Sequence, residues 1–317
     1  MSHPIIHIDS LCHSYGPRRA LADLSLSINP TEIFGFLGPN GSGKTTLFRV
    51  LSTLIRPQSG SVTFCPLSPD HPLNILTDRN LIRQLIGVVF QSPSLDAQLT
   101  AEENLRHHGH LYGLRGPDLA NRINTMLQRF DLADRRREYT KTLSGGMRRR
   151  VELAKGLLTN PKILLMDEPS TGLDPAARIE MWRLLEHCRQ TDGLTILLTT
   201  HLMDDADRCD RLAIMDQGKL VACGSPAKLK ERVGGDVITL TSSNLPALRD
   251  ILTQKLSLTP ELVDSTLRIE LPHAHEFIPQ LVESAPGLID SVSVGKPTLE
   301  DVFIHVTGRR FKDETDS

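Results

Sequence analysis

Apolar and polar positions fall into two successive rhythms along the chain. Over residues 5–41, short β-rich runs separated by turn signals predict strands at 5–8, 24–28 and 33–37, the last ending in glycine and leading into a helix from Lys44. From 99 to 158, Leu105, Leu111, Ile123, Leu127 and Phe130 are spaced as helix faces, with Gly113, Gly116 and Pro117 as breaks. That block predicts a helical subdomain inserted over about 92–158. Two uninterrupted apolar runs at 163–166 and 195–198 come next, with an amphipathic helix over about 176–189 between them. Strands buried on both faces and alternating with helices imply a mostly parallel sheet.

Gly234-Gly235 ends this rhythm. Beyond it, strands are expected at 237–240, 267–271 and 289–294. Helix faces are expected at Leu245, Leu248, Ile251, Leu252 and Leu256, at Phe277, Ile278, Leu281 and Val282, and over 299–306. The expected layout is an α/β domain over 1–233, a small α+β unit over 234–308 that is ferredoxin-like in its rhythm, and a charged, frayed tail over 309–317. No internal repeat or low-complexity segment interrupts it.

Composition narrows the function classes. With 317 residues the chain has ample length for two cored domains, and 36 Lys plus Arg against 38 Asp plus Glu disfavour a nucleic-acid binder that relies on bulk positive charge. No apolar run approaches the roughly 18 to 20 residues of a membrane span. The N-terminus lacks the basic start and apolar core of a signal peptide, so the chain is expected to stay in the cytosol. Five scattered cysteines without a C-x-x-C pair read as reduced thiols.

The strongest local signal is Gly38-Pro39-Asn40-Gly41-Ser42-Gly43-Lys44-Thr45, which satisfies G-x-x-x-x-G-K-[ST] between a predicted strand and a predicted helix. Glycines let the backbone wrap a phosphate chain with its N–H groups inward, and the helix N-terminus adds positive potential. Lys44 then reaches the β and γ phosphates and the Thr45 hydroxyl ligates Mg²⁺. The second signal is the apolar strand ending in Asp167-Glu168. Ligands of a parallel sheet bind beyond the carboxyl ends of its strands, so these acids belong near the phosphate loop. Asp167 can hold Mg²⁺, and Glu168 can polarise an attacking water.

Leu143-Ser144-Gly145-Gly146-Met147 decides the branch. Here the sequence resembles the ATP-binding subunits of ABC transporters, whose signature is LSGGQ. Further matches stand in the family's order: Tyr15, Gln91, Ser170 to Pro175, and His201. The resemblance covers about residues 5–230. It implies a P-loop ABC ATPase domain with a mixed-sheet core, an antiparallel β part and the helical insertion. It also implies that Tyr15 stacks on adenine, Thr46 contacts the α-phosphate, Gln91 touches Mg²⁺ and the attacking water, Glu168 is the general base, and His201 holds the γ-phosphate. Ser144, Gly145 and Gly146 would meet the γ-phosphate of ATP on an opposite copy, with Asp174 at the dimer junction.

The resemblance implies an ATP-hydrolysing subunit of an exporter. Two copies, or one copy and a close relative, would close around two MgATP and drive membrane permease subunits from the cytoplasmic face. Met147 departs from the family's Gln and puts any polar contact of that Gln in doubt. Met here, the arginines after it, residues 91–96 and residues 297–303 resemble the daunorubicin-resistance and nodulation-type exporter branch. A non-transport ABC ATPase of translation or DNA repair, and an importer subunit, are the alternatives. The first would show tandem ATPase halves or long heptads, the second a β-rich C-terminal domain.

The remaining features carry plainer expectations. His107, His108 and His110 read as an exposed helix surface and not a metal site. Arg135 to Arg137 and Arg148 to Arg150, flanked by acids, read as solvated helix faces. Residues 65–83 read as a surface excursion.

Overall fold

The computed structural model describes residues 3–65 and 71–311, in two compact units, Met1–Leu220 and Val221–Ser317. The first unit opens with strands β1 (Ile6–Tyr15), β2 (Arg18–Ile28) and β3 (Ile33–Leu37), helix α1 (Lys44–Leu51), strands β4 (Ser59–Phe64) and β5 (Leu73–Asn74), helix α2 (Arg79–Leu85) and strand β6 (Ile86–Val89). Helices α3 (Ala101–Leu111), α4 (Gly116–Arg129) and α5 (Gly145–Leu157) come after it. The chain then runs through β7 (Ile163–Asp167), α6 (Pro175–Asp192), β8 (Thr195–Thr200), the short α7 (Met203–Ala206), β9 (Arg211–Asp216) and β10 (Lys219–Gly224), within which the division falls.

Two sheets result. In the antiparallel one, ordered β2-β1-β4-β5, buried and exposed positions alternate along much of β1 and β2, so one face meets the core. In the other, β9, β3, β8, β7 and β6 lie side by side and parallel. Every position of β3, β7 and β8 is buried, which is why each strand carries an apolar run with no polar alternation in it. Because these strands are parallel, their carboxyl ends share one edge. The phosphate loop after β3, Gln91 beyond β6, the acids at the end of β7 and His201 after β8 therefore meet there.

The helical stretch buries Leu105, Leu119, Ile123 and Leu127 of α3 and α4 with Val151, Leu153, Ala154 and Leu157 of α5, in a core continuous with β7 and β8. Thr100 and Glu103 close a capping box at the start of α3, and Ser144 caps α5.

Several expectations are corrected. The first two strands extend well beyond 5–8 and 24–28, because register shifts in β1 and the polar solvent face of both strands hide the alternation. The stretch expected as a surface excursion joins the fold: β5 pairs with β4, and Ile75 and Ile82 are buried. Its residues 66–70 lie outside the described residues. The histidine surface is mixed: His107 and His110 are exposed while His108 is half-buried. The arginine face is mixed as well, since Arg149 is 6% exposed and ion-paired with Glu152.

In the second unit, α8 (Pro226–Lys230) precedes β11 (Asp236–Thr241), α9 (Leu245–Leu256), β12 (Glu261–Val263), β13 (Thr266–Leu271), α10 (Ile278–Ser284), β14 (Ser291–Gly295) and α11 (Leu299–Thr307). Its antiparallel sheet runs β12-β13-β11-β14, the βαββαβ order of a ferredoxin-like unit. The three-residue β12 was not expected from its short pattern. Ile238, Leu240, Leu267 and Ile269 on one sheet face pack with Leu248, Leu252 and Leu281 of α9 and α10. Of the expected tail, residues 312–317 lie outside the described residues.

Candidate functional site

The loop between β3 and α1 is shaped by its own backbone. Ser42 N–H donates to the Pro39 carbonyl at 3.1 Å, and the Ser42 carbonyl accepts Gly218 N–H at 2.9 Å, tying the loop to the turn after β9. At Gly43 φ is +105°, and a Cβ there would lie 2.4 Å from the Ala20 carbonyl oxygen. Gly38 is equally confined, since its Cβ would meet the Met215 carbonyl oxygen at 2.4 Å. Only glycine fits either position.

Lys44 is 4% exposed and donates to the Gly38 and Pro39 carbonyls at 2.6 and 3.1 Å. The buried Ser42 Oγ has no hydrogen-bond partner among the described residues. A cation folded back on the loop and an unsatisfied buried hydroxyl are the donors that an anionic phosphate chain would take up. The loop opens onto a cleft of about 410 Å³, lined among others by Tyr15, Arg18, Asn40, Lys44, Thr45, Thr46 and Glu168. Tyr15 stands exposed at the end of β1, where Gly16 and Pro17 turn the chain into β2. Arg18 donates to the Gly41 carbonyl at 3.3 Å across the same cleft.

Beside the loop, three side chains converge on one oxygen. Glu168 Oε2 accepts Gln91 Nε2 at 2.8 Å and Thr171 Oγ1 at 3.3 Å. His201 Nδ1 lies 3.2 Å from the same oxygen, near enough to pair on protonation but off the line of a hydrogen bond. The other oxygen, Oε1, lies 4.0 Å from Lys44 Nζ. Glu168 occupies left-handed backbone at φ +45°, a strained position held by its N–H donating to both the carbonyl and the hydroxyl of Thr199. The Thr199 hydroxyl donates to Asp167 Oδ1 at 2.5 Å. Burial, partly offset by that bond and reinforced by the neighbouring Glu168 charge, raises the Asp167 carboxyl above its ordinary range.

The signature residues lie elsewhere in the same unit. Ser144, Gly146 and Asp174 line a second cleft of about 320 Å³, which shares no lining residue with the first. Gly145 is exposed at the first position of α5. Asp174 caps α6, accepting Ala177 N–H at 2.9 Å. Met147 is half-buried and packs against the hydrophobic core.

The expected residues thus form three groups. Tyr15, Asn40, Gly41, Gly43 to Thr46 and Glu168 share the first cleft, with Gly38, Pro39 and Ser42 shaping the loop behind it, Gln91 and His201 join it through Glu168, and Ser144 to Gly146 with Asp174 stand apart. Asp167 sits behind Glu168, bonded to the Thr199 hydroxyl. Arg18, Arg49 and Thr199 belong to the site and were missed, and Thr171 stood only within the matched run Ser170 to Pro175, with no role of its own. Thr199 was legible as the polar residue after the apolar run 195–198, two positions before His201, whereas nothing local marks Arg18 or Arg49.

Comparison with known proteins gives the same division. Residues 21–171 match the family described as ABC transporter, and residues 224–307 match the C-terminal domain of DrrA1-3-like ATP-binding proteins. The chain is 36% identical to the Daunorubicin resistance ATP-binding protein DrrA3 of Streptomyces coeruleorubidus, covering 99% of each chain. It is also 36% identical to the Nod factor export ATP-binding protein I of Ralstonia nicotianae, covering 98% of this chain and 96% of that one. Among solved structures, a dimeric bacterial ABC transporter cassette matches with a TM-score of 0.61 at 29% identity, over 69% of this chain and 98% of that chain.

Proposed function

Because the chain belongs to the ATP-binding subunits of ABC transporters and is an ATPase of their exporter branch, we propose that it works as one half of a head-to-tail pair closing around two MgATP. The observation that carries this reading is the separation of its two clefts. The phosphate loop and Glu168 line one, Ser144 and Asp174 the other, so one chain offers half of each site. A second copy, or a close relative, supplies the missing half. Among the described residues no helix is long and apolar enough to cross a membrane. The proposed partners are membrane permease subunits, engaged from the cytoplasmic face.

Within the joined site, Tyr15 stacks on adenine and Thr46 meets the α-phosphate. Lys44 moves from the Gly38 and Pro39 carbonyls onto the β and γ phosphates. Glu168 takes a proton from the attacking water as the oxygen bonds to the γ-phosphorus and the bond to the β-phosphate breaks, leaving ADP and phosphate. Gln91 and Thr171 hold the Glu168 carboxylate in its pose, and His201 donates toward the γ-phosphate. The hydroxyl of Thr45, the carboxylate of Asp167 and the side-chain oxygen of Gln91 are the oxygen donors that would hold Mg²⁺, whose charge would offset that of the phosphates. Ser144, with the N–H groups of Gly145 and Gly146 at the start of α5, caps the γ-phosphate on the partner chain.

Glu168→Gln is the direct test. Removing the base lowers turnover by about 10²- to 10⁴-fold while MgATP still binds, so the variant elutes as a dimer with ATP and as a monomer without it. A Glu168→Gln chain that hydrolyses ATP at the wild-type rate, or never dimerises, overturns the scheme. Copurification from detergent-solubilised membranes identifies the permease.

A further inference from the structure

Helix α5 carries three buried charged residues for which the hydrolytic scheme has no use. Arg149, Glu152 and Lys155 are 6%, 2% and 8% exposed. Burying charge in a helix that already has an apolar face demands a reason, since apolar side chains of similar size would stabilise it as well. Their partners supply one. Glu152 Oε1 accepts Ser94 N–H at 2.7 Å, and its Oε2 accepts Arg149 Nη1 at 2.9 Å. The same Nη1 donates to the Phe90 carbonyl at 3.2 Å. Lys155 Nζ donates to the Ser94 carbonyl at 2.8 Å and to its hydroxyl at 2.5 Å.

All of these bonds to residues outside α5 go to residues 90 and 94, the two sides of Gln91. Gln91 in turn holds Glu168 at 2.8 Å. Ser144, which faces the partner's nucleotide in the proposed pair, begins the same helix. One helix thus joins the residue that contacts one nucleotide to the loop that poses the base for the other.

We propose that Arg149, Glu152 and Lys155 are positioning residues that lock residues 90–94 to α5, so that Gln91 and the Ser144 end of the helix move as one body. The proposal rests on the ATPase reading for the consequence at Glu168. The lock itself is independent of it. Nucleotide bound by the partner chain would then set the pose of Gln91 through α5, coupling the two sites without direct contact.

The test uses the full chain with Lys155→Met, Lys155→Arg and the wild type. Amide hydrogen exchange is read over residues 90–96 and over α1, alongside steady-state ATPase kinetics. Lys155→Met is expected to speed exchange over 90–96 about tenfold with α1 unchanged, and to lower kcat about tenfold with KM within about twofold. Lys155→Arg, which can donate to both Ser94 oxygens, is expected to restore both. Exchange over 90–96 that stays at the wild-type level overturns the lock. So does a loss spread equally over α1, or a Lys155→Arg chain as defective as Lys155→Met. Should Lys155→Met fail to fold, Ser94→Ala at its exposed site removes only the hydroxyl bond and must shift exchange and kcat in the same direction. A wild-type chain without ATPase activity counts against the ATPase reading alone, because exchange still reports the lock.

Discussion

At the scale of single residues, the site separates binding from chemistry. Tyr15 lines the cleft as an exposed ring set edge-on to His13 at 4.9 Å, and it has no part in the hydrogen bonds that hold Glu168. Its removal therefore acts on affinity. Tyr15→Ala should weaken ATP binding by about 1–3 kcal/mol while Tyr15→Phe leaves it nearly unchanged, as read by fluorescent-nucleotide titration. Asp167 is the converse case, a carboxyl that burial pushes above its ordinary range. Such a group binds its proton more tightly when folded, so the stability it contributes is present at low pH and lost as pH rises through the raised value. Asp167→Asn, which can still accept the Thr199 hydroxyl, should be more stable than wild type in urea at pH 7. The difference should vanish below about pH 4.

Elements carry the second level of organisation. Helix α3 is capped by Thr100 and Glu103, and its His108 faces inward, where burial and then the Lys155 charge hold the imidazole down at about 4. The folded value lies below the unfolded one, so stability present above about pH 6.5 is lost as pH falls toward 4. His108→Leu should flatten that slope, measured as the change in urea midpoint between pH 7 and pH 4.5, and an unchanged slope would acquit His108. The same helix shows how burial overrides sequence pattern: three histidines of one composition divide into two exposed and one packed. Helix α5 repeats the lesson with arginines. Arg150 pairs with Asp131 at the surface and Arg149 with buried Glu152, although both stand in one basic run.

For the whole molecule, the proposed head-to-tail pair makes each chain incomplete by itself. A chain with Lys44→Ala and a chain with Ser144→Arg should each be inactive alone, because each spoils both sites of its own homodimer. Mixed, half of the pairs contain both chains, and each such pair holds one intact site of two. About a quarter of the wild-type ATPase rate should return on mixing, checked by phosphate release against total protein. No recovery would mean that each chain holds a whole site.

Much of this was determined by the sequence alone, wherever contiguous residues set the outcome. The strand, turn and helix of residues 33–45 are adjacent in the chain, so the phosphate loop and the place of Lys44 and Thr45 derive from local backbone rules. The unbroken apolar runs of β7 and β8 likewise announced buried parallel strands, with Asp167 and Glu168 at one end. Tertiary structure decided what distant segments do to one another. The side-by-side order of β3, β8, β7 and β6 brings Gln91, Thr171 and His201 to one oxygen of Glu168, and Thr199 to its backbone. Long-range strand pairing sets that order, and no local period encodes it. The partners of Arg149, Glu152 and Lys155 outside α5 stand some sixty positions away in the chain. A buried charge reads in sequence like a solvated one until the fold shows which group satisfies it.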